Sequence, residues 1–221
     1  MKDRVTRDDW FRMMTGAAVR IREQHLWLSQ LDSAAGDGDR GATMWRAVSC
    51  LEGVFSPGKS ADFKSSFYQA GWNVLGADGG ASTSLLGTLF LGMSDAVVAD
   101  SSSLDCAGLA NVFRAGLAAV QRQTKAKPGD QTMMDALTPA VESLQAAAAG
   151  GKGIESTLEE AANAASAGAA ATKDLTARYG RARFLGEKTR GHQDPGATSV
   201  ALMFEGFYRG LAELEGEGNH A

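Results

Sequence analysis

The chain has 221 residues, 44% of them hydrophobic, and carries 22 Lys and Arg against 26 Asp and Glu. That length suffices for one large domain or two small ones with a sizeable core. No basic run marks a nucleic-acid footprint, and no apolar run reaches the roughly 20 residues of a membrane span.

Cys50 and Cys106 are the only cysteines, and neither stands in a paired metal-ligand spacing. The opening Met1-Lys2-Asp3-Arg4 leads into mixed charged and apolar residues, unlike a secretory signal. A reduced, cytoplasmic setting is therefore expected.

Trp10, Met14, Ala17, Ile21 and Leu28 follow helical spacing and predict a first helix from about Asp8 to Leu31. The second helix spans Ala42 to Gly53, with Met44, Ala47, Val48 and Leu51 on one face. A turn at Ser56-Pro57-Gly58-Lys59-Ser60 precedes the third, Ala61 to Leu75, which buries Phe63, Phe67, Ala70 and Val74. The fourth carries Leu85, Leu89, Met93 and Ala96, and a polar turn, Asp100-Ser101-Ser102-Ser103, offers an N-cap to the fifth, with Leu109, Val112, Phe113, Leu117 and Val120. The sixth has Leu137, Val141, Leu144 and Ala148, with Pro139 near its start. Ser156 and Glu159 read as a capping box for a seventh, alanine-rich helix from Thr157 to about Arg178. Asp194-Pro195 starts the eighth as N-cap and first-turn proline, with Val200, Phe204, Phe207, Leu211 and Leu214 as its stripe. The tail after Leu214, with His220, is expected to fray. No strand alternation is visible. The expected fold is all-α: an eight-helix antiparallel up-and-down barrel or bundle, residues 1–221 forming one domain.

In such an array alternate loops share one end. Residues 54–61, 98–103 and 150–156 carry little chemical pattern. Residues 32–41, 76–82, 124–132 and 179–195 carry the chemistry, and all four fall at the same end. The first holds Asp32, Asp37 and Asp39 among Gly36, Gly38 and Gly41. Carboxylates this close repel unless a cation lies between them, and an all-oxygen cluster suits Mg²⁺ or Ca²⁺ rather than zinc. The same residues also make an ordinary Asp-Gly turn.

Gly79-Gly80-Ala81-Ser82 and Asp194-Pro195-Gly196-Ala197-Thr198 begin helices, where free N–H groups and the dipole favour phosphate. Arg181 and Lys188, with Arg183 and Arg190, add positive charge, and Thr43, Ser82 and Thr132 are neutral donors. Met133 and Met134 could line an adenine pocket or the core. This is a kit for a polyphosphate, and phosphoryl transfer asks mainly for positioning and charge neutralisation. There is no Walker A sequence and no kinase glycine loop with its partner motifs. His25 reads as a packed or surface residue, and His192 as either a ligand contact or a turn residue. The cysteines read as small core residues.

Four motifs in order carry a resemblance: Asp32-x4-Asp37-Gly38-Asp39-x-Gly41; Gly79-Gly80-Ala81-Ser82; Pro128-Gly129-Asp130-x-Thr132-Met133-x-Asp135-Ala136-Leu137; and Gly180-Arg181-Ala182 leading to Gly191-His192-Gln193-Asp194-Pro195-Gly196-Ala197-Thr198-Ser199. Over nearly its whole length the chain resembles the L subunit of dihydroxyacetone kinase, the DhaL or DAK2 domain family. The resemblance implies an eight-helix barrel binding ADP or ATP at one end through two Mg²⁺. It implies Asp32, Asp37 and Asp39 as metal ligands and catalytic residues. Arg40, Gly41, Ala42, Thr43, Ala81 and Ser82 would lie on the phosphates. Thr124, Thr132, Met133, Arg181, Asp194, Pro195 and Gly196 would complete the nucleotide site.

The resemblance further implies a separate K subunit holding a short ketose covalently on a histidine, and in one branch a phosphocarrier M subunit that recharges ADP. In the other branch ATP is the direct donor. A homodimer is compatible with it. Arg40 stands where bacterial L subunits often have histidine, and Thr124 where some relatives have glycine, which leaves erythrulose beside dihydroxyacetone as acceptor. An ADP- and Mg²⁺-binding regulatory module without catalysis is the alternative, and a structural cation module a third reading.

Overall fold

A computed structural model describes residues 2–34, 36–58, 62–77 and 79–217, with side chains through Ala212. β1 (Arg4–Thr6) leads into α1 (Arg7–Glu23), followed by α2 (His25–Ser33), α3 (Arg40–Phe55), α4 (Phe63–Leu75) and α5 (Gly80–Asp95). β2 (Ser103–Asp105) introduces α6 (Cys106–Gln123), and α7 (Met134–Ala149), α8 (Ile154–Ala171) and α9 (Pro195–Glu217) complete the order. Between α8 and α9 run two 3-10 segments, Thr172–Asp174 and Ala182–Thr189.

The fold is all-α, as expected. Helix α1 packs on α3, each helix from α3 to α8 packs on its successor, and α9 returns to α1, closing a ring of eight with α2 beside α3. Contacts run in opposite chain order along neighbours, as in an up-and-down array: Gly206 meets Ala17 while Gly210 meets Arg12. The closing seam depends on glycine. A Cβ on Gly206 would lie 2.3 Å from Ala17 Cα, and one on Gly16 would lie 2.2 Å from the Gly206 carbonyl oxygen.

Inside the ring, Trp10 is fully buried and its ring meets Phe55, Phe63, Phe67 and Phe113 at centroid distances of 4.9 to 6.0 Å. Burying an apolar side chain of this kind contributes roughly 1.5–3 kcal/mol. The predicted apolar faces are the buried ones: Met44, Ala47, Val48 and Leu51 on α3, and Val200, Phe204, Phe207 and Leu211 on α9. Cys50 and Cys106 are free, half-buried and packed against this core.

The structure corrects five expectations. The first helix is two: it breaks at Gln24 (φ −105°, ψ 9°), where His25 Nδ1 lies 2.7 Å from the Arg22 carbonyl. Periodicity missed the break because Leu28 of α2 continues the same buried stripe. Two short strands exist: β1 and β2 pair antiparallel with Val5 opposite Leu104, both buried. Three residues are too few to show alternation. The cap of α6 is Asp105, whose Oδ1 accepts from Gly108 N at 2.7 Å, not the serine turn before it. Helix α8 starts at Ile154 with Gly153 as N-cap and no side-chain cap, so Ser156 and Glu159 lie inside it. It ends at Ala171 rather than near Arg178, because Thr172 turns its hydroxyl back to the Ala169 carbonyl and the chain tightens into 3-10 geometry.

The expected helix start at Ala61, the turn residues Lys59 and Ser60, Asp78, the side chain of Leu214, and His220 with its tail lie outside the described residues.

Candidate functional site

Asp32 ends α2 and Asp39 stands just before α3. The segment between them folds back on Asp32, whose carbonyl accepts from Gly36 N (2.5 Å) and whose Oδ2 accepts from Gly38 N (2.9 Å). Gly38 has φ +75°, a region that costs other residues strain. This tight turn brings one carboxylate oxygen from each of Asp32, Asp37 and Asp39 within 4.8 Å of one another. Among the described residues no other three His, Cys, Asp or Glu side chains converge this way. The donor set fits a hard divalent ion: anionic oxygens only, two of the three side chains exposed.

Charge is graded across the cluster. Burial pushes the Asp32 carboxyl above its ordinary pKa, with the Asp37 charge adding to it and the Gly38 amide and Arg40 opposing. Asp37 is pulled below its ordinary value, chiefly by its hydrogen bond from Arg181. Arg40 is buried, and its Nε donates to Ser199 Oγ at 3.0 Å. Burial lowers the Arg40 pKa against the attraction of Asp194, Asp32 and Asp39, and a guanidinium stays charged throughout. Arg40 is thus a built-in counter-cation beneath the acidic cluster, tied to α9.

The second corner is the start of α5. A Cβ on Gly79 would sit 2.5 Å from Thr43 Cγ2, so only glycine lets this turn rest on the first turn of α3. Ala42 and Ala81 are exposed there, Ser82 is half-buried, and Gly41 and Thr43 are buried. A Cβ on Gly41 would strike the His25 carbonyl, so the start of α3 packs directly on the α1–α2 break.

The third corner precedes α7. Asp135 receives Gly129 N on Oδ1 (2.6 Å) and Thr132 N on Oδ2 (2.7 Å), which sets the loop. Thr132 Oγ1 accepts from Met134 N, and Thr124 Oγ1 accepts from Ala126 N, so both hydroxyls serve their own turns. Met133 is buried.

At the fourth corner Asp194 caps α9, its Oδ2 accepting from Ala197 N at 2.6 Å. Burial raises its pKa to about 6, while the Ala197 amide and Arg40 pull the other way. Gly196 packs on the residue that precedes α7, where a Cβ would lie 3.4 Å from Met133 N.

These contacts fix the sorting of loops proposed from sequence. Gly79 on Thr43, Arg40 on Ser199, Gly196 beside Met133 and Arg181 on Asp37 stitch all four corners into one rim. Arg181 is 70% exposed in this pair. Other candidates stand apart. Arg183 lies over the Phe184 ring (4.7 Å), Arg190 pairs with Glu187 (3.8 Å) and Lys188 is exposed. His25 packs edge-on to Trp45, as its packed reading expected, and the His192 side chain is exposed. Sequence reasoning missed Ser199, Gln131 and the anchoring role of Asp135. For Asp135, its position three residues after Thr132 was the available signal; the Arg40–Ser199 bond joins residues 159 apart and leaves none.

A helical ring whose one rim gathers three carboxylates, a buried arginine and several helix starts defines a class: an all-α domain equipped for a phosphate-bearing ligand with a cation. Residues 34–209 match the DAK2 domain model, and the chain belongs to that family. It is 40% identical over 197 residues to the ADP-binding subunit DhaL of PEP-dependent dihydroxyacetone kinase 1 from Listeria innocua, covering 89% of this chain and 93% of that one. It is 38% identical over 179 residues to the corresponding Escherichia coli subunit, covering 81% and 85%. Both relatives are subunits of kinases, which are phosphotransferases. The crystal structure of the C. freundii dihydroxyacetone kinase with AMP-PNP and Mg²⁺ superposes with a TM-score of 0.68 at 26% identity; the alignment covers 89% of this chain and a third (33%) of that one. Among the described residues no helix is long and apolar enough to cross a membrane.

Proposed function

We propose that residues 1–221 form one domain that acts as the nucleotide-binding L subunit of a dihydroxyacetone kinase, in the cytoplasm. The observation that carries this reading is the convergence of Asp32, Asp37 and Asp39 with the starts of α3, α5, α7 and α9 on one rim. The names of the Listeria and Escherichia relatives support ADP as ligand, and the C. freundii complex supports a nucleotide with Mg²⁺.

In this reading Asp32, Asp37 and Asp39 hold Mg²⁺, two ions in the full site. When bound, Mg²⁺ neutralises charge on the phosphates of the nucleotide. The chain's own groups do the rest. Backbone N–H groups of Arg40 and Ala42 and of Ala81 and Ser82 receive phosphate oxygens, the usual role of helix starts, while Gly41, Thr43 and the Asp194–Gly196 turn, whose amides are bonded within the protein or absent at Pro195, line the nucleotide beside them. Arg181 leaves Asp37 for the cation and turns to phosphate. Arg40 holds the acidic cluster in register from below. Met133 backs the base, with Thr124 and Thr132 on the same side. The acceptor, a short ketose, is held by a separate K subunit that docks on this rim, and the donor is ATP or ADP recharged by a phosphocarrier M subunit.

The test is a coupled assay with a K subunit, dihydroxyacetone and ATP or a phosphocarrier. Turnover that requires this chain and is lost in Asp39→Ala supports the reading. Nucleotide binding without turnover under either donor would make the chain a regulatory module instead.

A further inference from the structure

Gln131 is buried in the loop before α7, with its backbone at φ +55°. Few non-glycine residues adopt that region without a local reason. Its side-chain amide faces three carbonyls: Nε2 lies 3.0 Å from Thr172 O, 3.2 Å from Thr189 O and 2.9 Å from His192 O. Its Oε1 is buried with no partner. Turning the amide over would set that oxygen against three carbonyl oxygens, so the nitrogen faces inward.

The three carbonyls come from the first 3-10 segment, the end of the second, and the turn just before Asp194. The same segment is drawn to the same spot by other bonds. Arg178 N donates to Asp130 O (3.1 Å), Gly191 N to Lys173 O (2.7 Å), Ala177 N to Thr189 Oγ1 (3.0 Å) and Asp194 N to Thr172 Oγ1 (2.9 Å). Among these, Gln131 is the one side chain that grips all three turns of residues 172–192 at once.

We infer that Gln131 is a positioning residue: a donor-only anchor that hangs the 172–194 segment on the α7 corner, and so sets Arg181 and the Asp194–Gly196 helix start against the acidic cluster. It touches no reacting atom. The inference rests on the reading of this rim as a nucleotide site, but the anchor itself does not.

What the site asks for is N–H donors. Lysine offers three donors and no acceptor, methionine offers neither, and glutamate offers acceptors only. All three bear a Cβ, so the cost of positive φ is common to them. The experiment uses the full chain in two arms. Hydrogen–deuterium exchange without nucleotide reads residues 172–194. Calorimetric titration with Mg²⁺ and ADP reads the rim. Gln131→Met and Gln131→Glu are expected to speed exchange in 172–194 about tenfold and to weaken ADP by a similar factor, since both remove donor bonds to buried carbonyls. Gln131→Lys is expected to return both readings to within about threefold of the wild type, a rescue that loss of packing alone does not give.

Wild-type exchange in the Met and Glu variants would overturn the inference. So would a loosened segment with unaltered ADP affinity, or a Lys variant no better than Met. If Gln131→Met does not fold, Lys against Glu still decides, because their side chains are long and of opposite hydrogen-bonding character. A wild-type chain that binds no ADP would count against the nucleotide reading, while the exchange arm would still judge the anchor.

Discussion

The end of the ring around Trp10 and the end around Asp32 are built on opposite rules. At the first, aromatic rings from α1, α3, α4 and α6 interlock and leave little that is polar, although Trp10 Nε1 finds no partner there. At the second, like charges are crowded and an arginine is buried. The difference teaches where stability resides: packing at one end holds helices rigid enough for the other end to carry groups that repel. In the proposed reading, the repulsion among the crowded acids is a cost that a bound cation would relieve.

That contrast can be broken by mutation. Trp10→Ala removes the centre of the aromatic cluster and should cost about 3–5 kcal/mol of folding stability. Chemical denaturation measures it, and the folded fraction should keep its affinity for ADP and Mg²⁺. Asp39→Ala should do the reverse, cutting phosphoryl transfer with a K subunit by about a hundredfold or more, by analogy with loss of one preorganised electrostatic group. Its melting temperature should stay level or rise, because a repelling charge is gone.

Asp194→Asn sharpens the comparison through pH. The Asp194 pKa rises from the ordinary 3.8 to about 6 in the fold. Between those values the folded chain keeps a proton that the unfolded chain has released. The stability contributed by this group is therefore complete below pH 3.8 and is lost as pH rises through about 6. Asparagine keeps the cap oxygen for Ala197 and removes the titration. The stability difference between variant and wild type should grow by about 1–3 kcal/mol from acid to neutral pH, read from denaturation midpoints across that window.

Arg181→Ala should have the smallest effect on the fold. Its ion pair with Asp37 is exposed, and such pairs contribute little. The melting temperature should hold while ADP binding weakens about tenfold, in line with loss of one charge-assisted contact. A large drop in stability instead would mean that the rim is a structural latch.

Much of this molecule was legible in its sequence, for identifiable reasons. The helices announced themselves because their buried faces repeat at helical spacing, as on α3 and α9. The sorting of loops to one end followed from helix number and short connections, and it survived the break at Gln24 because α2 adds a short segment beside α3 rather than another member of the ring. The acidic cluster was legible because its members are neighbours in the chain. What stayed hidden depends on distance in sequence or on very short elements. The bond from Arg40 to Ser199, the grip of Gln131 on three remote carbonyls and the pairing of β1 with β2 leave no periodic trace. The inward burial of Arg40 close to Asp32, Asp39 and Asp194 was likewise not legible in the sequence.

The central claim is that the three aspartates and the helix starts form one nucleotide site joined by a cation. Calorimetric titration of ADP into the full chain, with Mg²⁺ and with a chelator, tests it most directly, alongside the variant in which Asp32, Asp37 and Asp39 are all changed to Asn. The account predicts binding that requires Mg²⁺ and vanishes in the folded triple variant. ADP binding of equal strength with the chelator, or undiminished in that variant, would contradict it.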